Sequence, residues 1–549
     1  MINIDGKVDI YFPMEMKPRP QQIELIQKCK ESINNGKKFL LLNSPVGSGK
    51  SYFAIMFSNW YKNYVGDENT KIDIVTNSKL LQDQYQNSFN FIKVLKGQNN
   101  YNCTRHQGFN CQEGKEMNSI QSLKKCDHCP YDIDKLIWTH SDIGITNFHL
   151  INSFMIYAPT PTLEDRNASV LICDEAHDFE SVFCDFLSTK LSGKLLKKYG
   201  MDQVYIEKYE QILNNIKTVQ EFMDFIQDKF IPYISVLNQK YEGLLKSNEN
   251  KQLYFKYYSY TSSQIEKFDN ILVKYDKDPD NWSLDITYSK DKRVELIIEP
   301  IWGYDYLNEY VWKRYDHIVF MSGSILDKNM FCFTNGLQPE LTDYYSLEST
   351  FPIQNRPLYY VKCGKMTYNS KRETFEKQVP IIKNILKKYK DKSGIIHTTN
   401  YEIADWIKNA IDDDRLIKHD PETREDIVTK FLKEGKKIKS EDEEKTNSVM
   451  ISPSLISGIS LDGDLSRFQI IVKMPYPNIS SNKIKARQKA DKRWYDWFTC
   501  VQIIQMSGRS VRSENDWAHT FILDSSFSDI LKRTSYLPRW FTDAIIMLK

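Results

Sequence analysis

Three groups of residues in this chain have types and spacings suited to chemistry. The first is the string Ser44, Pro45, Val46, Gly47, Ser48, Gly49, Lys50, Ser51. Small residues let backbone N–H groups wrap a polyphosphate, and a helix that opens behind them favours its negative charge. Lys50 then reaches the β- and γ-phosphates and Ser51 binds Mg²⁺, the work of a P-loop on ATP. The generic pattern has Gly where Ser44 stands, a mild departure. The second group is Asp174, Glu175, Ala176 and His177, at the end of the apolar run Val170–Cys173. A carboxylate at a strand's C-terminal end faces the P-loop across one crevice. Asp174 is expected to hold Mg²⁺ and Glu175 to orient and deprotonate the attacking water, with His177 in the same catalytic group. The third runs from Gln505 to Arg512. Arg509 and Arg512 are three apart, so on a helix they share one face. Two guanidinium groups there suit a γ-phosphate held between domains, as arginine fingers, and Gln505 lies on the same side to position phosphate or water.

Ten cysteines are present, and four of them cluster as Cys103, Cys111, Cys126 and Cys129. A large intracellular chain argues against a disulfide framework, so the cluster reads as a metal site. Four thiolates hold a 4Fe–4S cluster or a tetrahedral zinc ion, and Cys126-x-x-Cys129 is typical of both. Spacing by itself favours zinc. Either way the segment is polar, and metal–thiolate bonds would supply folding energy that packing cannot.

These groups need scaffolds to position them. With 549 residues the chain exceeds one hydrophobic core, which implies three or four domains. Strand-like runs at Phe39–Asn43, Ile72–Thr76, Val170–Cys173 and Ile318–Met321 alternate with helical patterns, among them a helix over 51–64. The pattern returns at Gly394–His397, Val449–Ser452, Gln469–Lys473 and Thr520–Leu523. Strands alternating with helices predict two α/β domains built on parallel sheets. Residues 97–135 are polar with little periodicity, and 181–300 carry Lys, Glu, Tyr and Leu at helical spacing. Both read as insertions into the first α/β domain. Residues 433–445 read as an exposed, solvated loop. No run of about 18 apolar residues appears and 1–20 lack an apolar signal core, so the expectation is a cytosolic protein, or a nuclear one in a host with a nucleus, without membrane contact. The net charge of +2 neither supports nor excludes nucleic acid. The aromatic content, 33 Tyr, 28 Phe and 10 Trp, leaves room for base stacking, with the Tyr-rich string Tyr254–Tyr260 as a weak candidate.

The P-loop, the DEAH box and Q-x-x-G-R-x-x-R, in this order, resemble a superfamily 2 helicase, and finer features resemble its XPD/DinG family of iron–sulfur DNA helicases. Arg19-Pro-Gln-Gln22 resembles that family's adenine-reading segment, adding Arg19 and Gln22 to the ATP site. Val75-Thr-Asn-Ser-Lys-Leu-Leu-Gln-Asp-Gln84, Ile145-Thr-Asn-Phe-His149, Ser322-Gly-Ser-Ile-Leu326 and Ser457-Gly-Ile-Ser-Leu-Asp-Gly463 with Met474-Pro-Tyr-Pro477 resemble its further motifs. Strand contacts are thereby implied at Thr76, Asn77, Gln84, Thr146, Asn147, Ser457 and Gly458. Ser457 and Ser460 stand where the family has acidic residues, which bears on how ATP state couples to the strand. The position of the four cysteines resembles the family's cluster site and implies 4Fe–4S, with zinc as the alternative. The implied architecture is two RecA-like motor domains with two insertions: 1–96, 136–180 and 301–345 form the first motor domain, 97–135 the iron–sulfur domain, 181–300 a mostly helical arch, and 346–549 the second motor domain. The implied activity is ATP-dependent 5′-to-3′ movement on single-stranded or forked DNA by a monomer, with no added exonuclease domain. Three alternatives stay open: an RNA helicase, an ATP-switched nucleic-acid clamp, and an ATPase subunit that needs partner proteins.

Overall fold

The computed structural model describes residues 2–3, 9–10, 18–67, 69–156, 161–247, 251–289, 291–437, 447–453, 461 and 463–548. Two seven-stranded parallel sheets dominate it. The first runs, from edge to edge, Thr342–Ser346, Phe39–Asn43, His317–Ser322, Val170–Asp174, Ile72–Thr76, Ile143–Asn147 and Lys93–Val94. Three of its inner strands, Phe39–Asn43, Ile72–Thr76 and Val170–Asp174, are buried along their whole length, as in a sheet covered on both faces. The second runs Leu416–Lys418, Val449–Ser452, Gly394–His397, Phe468–Ile471, His519–Ile522, Leu358–Val361 and Ile545–Leu548. The fold class is therefore the expected one, two α/β units with parallel sheets. In both, the functional loops leave the C-terminal ends of the strands, where open α/β sheets bind ligands.

The two insertions differ from their sequence reading. Residues 97–135, expected to lack periodicity, carry the helix Cys111–Ile120, and the helix Pro130–His140 begins within them. The first is fixed by a capping box in which Asn110 Oδ1 accepts from Glu113 N (3.0 Å) and Asn110 N donates to Glu113 Oε2 (2.8 Å). Residues 181–300 hold the helices Gln203–Asn215, Ile231–Lys246 and Lys251–Lys277, but also three antiparallel strands, Thr189–Ser192, Val294–Pro300 and Trp282–Tyr288, in that spatial order. Burial in Val294–Pro300 alternates residue by residue, the period of a strand with one face inward. The two insertions meet where Phe109 stacks on Phe255 at 4.9 Å and Met117 and Ile120 pack with Leu245.

Candidate functional site

The strand Phe39–Asn43 delivers the P-loop, whose Gly47 and Gly49 take positive φ of 78° and 82°. Only glycine adopts these conformations without strain, and together they turn the chain into the helix Lys50–Val65. Ser44, the departure from the usual glycine, has a local use: its Oγ donates to Ser48 Oγ at 2.7 Å and ties the loop's shoulders together. Gln22 Nε2 donates to the Gly49 carbonyl at 3.1 Å, and Arg19 donates to the Gly47 carbonyl. The adenine-reading candidates thus grip the loop from outside.

The next strand but one in the sheet, Val170–Asp174, ends on the second motif. Asp174 is buried and accepts from the Tyr85 hydroxyl at 3.0 Å. Burial, and then the charge of Glu175 beside it, pushes its carboxyl up. Glu175 sits at φ +56°, uncommon for a residue with a side chain, which turns its carboxylate toward the P-loop. Its Oε1 is 3.4 Å from Lys50 Nζ and its Oε2 is 3.4 Å from His177 Nδ1. Burial opposes the charge of Glu175, but Lys50, His177, Arg509 and Arg512 outweigh it and hold the carboxyl below its ordinary value.

The second sheet contributes through the helix Lys492–Ser507 and the loop after it. Gln505 Nε2 donates to Ser324 Oγ at 2.7 Å and stands 3.5 Å from His177 Nδ1, which is itself 2.8 Å from Ser322 Oγ. One amide therefore touches two loops of the first sheet. Arg509 and Arg512 do not share a helical face as expected. The helix stops at Ser507, because Gly508 turns the chain against Val46: a Cβ there would lie 3.1 Å from the Ile504 carbonyl and 3.3 Å from Val46 Cγ2. The two arginines converge through this loop instead. Burial, and then Arg512, pushes Arg509 down to about 10. The guanidinium groups of Arg356, Arg509 and Arg512 and the ammonium of Lys50 around one cavity of about 70 Å³, with a single carboxylate among them, form a receptor for a polyanion.

Sequence reasoning missed Tyr85, Asn43 and Phe351. Asn43 Oδ1 accepts from Ile325 N at 3.0 Å and binds the loop after Ser322 to the P-loop strand. None of the three belongs to a motif, and each acts through a contact distant in sequence.

Of the expected strand contacts, Thr76 and Thr146 are buried, with hydroxyls donated to the carbonyls of Ser78 (3.1 Å) and Leu95 (3.1 Å). Asn147 Oδ1 accepts from Leu150 N, Asn77 Nδ2 donates to Asp178 Oδ2 at 2.8 Å, and Gln84 is exposed. Ser457, Gly458 and Ser460 lie outside the described residues. In the tyrosine string, Tyr254 and Tyr257 pack on Tyr241, and Tyr260 on Tyr199, within the insertion's own core.

The four clustered cysteines line one cavity of about 360 Å³. Cys129 Sγ is 3.7 Å from Cys111 Sγ, His106 N donates to Cys103 Sγ at 3.3 Å, and Asn118 Nδ2 donates to Cys126 Sγ at 3.3 Å. Gly114 makes room for the Cys103 thiol, since a Cβ there would stand 2.3 Å from its sulfur. Among the described residues no three His, Cys, Asp or Glu side chains converge on a single ion. Among them, too, no helix is long and apolar enough to cross a membrane.

Residues 382–544 match the family model of a helicase C-terminal domain, and residues 15–222 that of the type III restriction enzyme res subunit. A probable ATP-dependent helicase of Methanocaldococcus jannaschii is 22% identical over an alignment covering 97% of this chain and 96% of that one. A solved XPD helicase superposes with a TM-score of 0.67 at 16% identity, over 97% of this chain and 100% of the other. An apo XPD superposes with a TM-score of 0.62 at 14% identity, over 96% and 100%.

Proposed function

We propose that the chain is an XPD-like superfamily 2 ATP-dependent helicase, which hydrolyses ATP between its two sheets to move 5′ to 3′ along single-stranded DNA and separate forked duplex. Its matches to a helicase C-terminal domain and, over nearly its whole length, to a probable ATP-dependent helicase support this reading. One observation carries this reading: Lys50 and Glu175 from the first sheet and Gln505, Arg509 and Arg512 from the second line or border the same cavity. A nucleoside triphosphate's polyphosphate uses both walls at once.

In this mechanism the P-loop amides and Lys50 hold the β- and γ-phosphates. Ser51 and Asp174 would hold Mg²⁺, which would supply positive charge beside the Asp174 carboxylate that burial now disfavours. The phosphates draw Lys50 from Glu175, which stays charged and takes the proton of the attacking water. Arg509 and Arg512 neutralise charge on the transferred phosphoryl group. Gln505, bonded to Ser324 and close to His177, reports phosphate loss from one sheet to the other. Alternate closing and opening moves the strand when each sheet's domain grips phosphates in turn.

Cys103, Cys111, Cys126 and Cys129 are proposed to hold a 4Fe–4S cluster. Four thiols around a cavity of about 360 Å³ fit a cluster with a body of its own better than one zinc ion, whose sulfurs all stand about 2.3 Å from the metal. When bound, the cluster supplies rigid cross-links within 97–135. The contact of Phe109 with Phe255 supports a strand path bounded by this segment and the arch, 181–300.

The test is strand displacement by anaerobically purified protein with ATP and Mg²⁺, on 5′-tailed and 3′-tailed DNA duplexes. The 5′-tailed substrate alone should unwind, and Lys50→Ala should abolish it. Hydrolysis stimulated by single strands without displacement on either tail would point to a clamp or a partner-dependent subunit, and displacement of RNA alone to an RNA helicase.

A further inference from the structure

Phe351 belongs to none of the motifs that define the cleft. It lies in the stretch 347–357 that joins the strand Thr342–Ser346 of the first sheet to Leu358–Val361 of the second. The tip of its ring rests on the P-loop: a Cβ at Gly47 would stand 1.9 Å from Cζ and 2.7 Å from both Cε atoms. The ring thus meets the loop end-on, and this contact, besides the positive φ, requires glycine at 47. The side chain is buried, packs with Val511 and Ala518 from the arginine-bearing side, and lines the cavity that Lys50, Glu175, Arg509 and Arg512 also line. Arg356, from the same stretch, donates Nε to the Phe351 carbonyl at 3.2 Å and lies 5.7 Å from the Trp540 ring centroid. Arg356 and Trp540 line the cavity too.

The cavity therefore combines groups for phosphates with an aromatic wall that phosphates do not need. A nucleobase needs it, because its π face gains most from an aromatic side chain. The cavity's volume of about 70 Å³ is below the roughly 300–1,000 Å³ of a ligand pocket, so a nucleotide enters only as the sheets part. The ring spanning that gap is carried by the connecting stretch itself.

We propose that Phe351 is a further binding residue of the nucleotide site, the platform on which the base of ATP stacks once the sheets have parted. The inference rests on the ATP reading above. It also makes the interdomain stretch a part of the nucleotide site, so that base binding reaches the second sheet without passing through the phosphates.

The test is steady-state ATP hydrolysis by the full chain carrying Phe351→Leu, which keeps apolar packing but removes the ring, beside Phe351→His, which keeps an aromatic ring and adds nothing beyond the tip that rests on Gly47. Loss of the ring should raise KM for ATP about tenfold and weaken inhibition by ADP equally. Inhibition by tripolyphosphate, which has no base, and kcat should stay within about twofold of wild type. Phe351→His should restore KM toward wild type. An unchanged KM in Phe351→Leu overturns the proposal. So does equal weakening of ADP and tripolyphosphate, which would make the ring a prop for the P-loop. If Lys50→Ala hydrolyses ATP as fast as wild type, the ATP reading itself has failed, a result separable from either.

Discussion

At the scale of single residues, Glu175 is the most constrained side chain in the cleft. Its backbone is left-handed, its carboxylate lies 3.4 Å from Lys50, and the surrounding cations keep it ionised despite burial. A base held charged by groups that a triphosphate will engage is released when the substrate arrives. Glu175→Gln removes the base and keeps the shape. Hydrolysis should fall by about 10²- to 10⁴-fold while binding of an ATP analogue persists. Lys50→Ala should lose the binding itself, so fluorescence titration of both variants separates the two roles. Asn118 presents a comparable case at the cysteines. Its Nδ2 donates to Cys126 Sγ, while its Oδ1 accepts from Arg105 Nη1 (3.1 Å) and stands 3.0 Å from His106 Nε2. The amide orients the thiol proposed to bind the cluster and is itself oriented. Asn118→Leu should lower iron retention by about tenfold or more in a chelator challenge, read as iron per chain. Retention equal to wild type would show that the thiols orient themselves.

At the scale of elements, 97–135 tests what metal bonds contribute to folding. The helix Cys111–Ile120 has ten residues, short for independent stability. Cys111 opens it, Cys129 caps the helix Pro130–His140, and Cys103 and Cys126 sit in the loops before each. One bound group would thus fasten both helix starts. Cys126→Ser should make this segment susceptible to limited proteolysis and abolish unwinding, while ATP hydrolysis without nucleic acid survives. A variant that resists protease and unwinds normally would remove the structural role. The same segment shows where sequence legibility ends. The P-loop and DEAH box were readable because strand, turn and chemistry are contiguous, and the buried runs Phe39–Asn43 and Val170–Asp174 marked their positions. The helices at the cysteines were not, because the buried side of Cys111–Ile120 is made of Cys111, Gly114, Met117, Asn118 and Ile120, too mixed to give the apolar stripe that announces a helix. Val294–Pro300 did carry a strand signal, its alternating apolar residues, but it was read within a helical context. Gly508 likewise signalled that the helix stops before Arg509. Phe351 and Tyr85 carried no signal, since their roles exist only in contacts between distant segments.

At the scale of the whole molecule, the cleft has a second fastening away from the phosphates. The helix Asn482–Ala490, on the second sheet's side, docks on the base of the 181–300 insertion. Asn482 Nδ2 donates to the Leu284 carbonyl at 2.7 Å, Lys483 pairs with Glu299 at 2.9 Å, and Arg487 pairs with Glu180 at 2.6 Å between the rings of Trp302 and Trp494. Glu180 belongs to the helix Phe179–Leu187, directly after the DEAH box. The pair therefore links the insertion, the DEAH helix and the second sheet. Both side chains are 4% exposed, and removing one partner of such a pair leaves an uncompensated buried charge, costing about 3 kcal/mol. Burial works against ionised Glu180, but Arg487 and then Lys483 outweigh it and hold its carboxyl below the ordinary 4.5. A depressed carboxyl contributes stability that is full above its unfolded pKa and is lost as pH falls through the folded one. Glu180→Gln should therefore lower the apparent thermal midpoint at pH 7, and the gap to wild type should narrow once the pH drops below about 4.5. A gap that stays constant through that range would assign the loss to packing against the two tryptophans rather than to the charge.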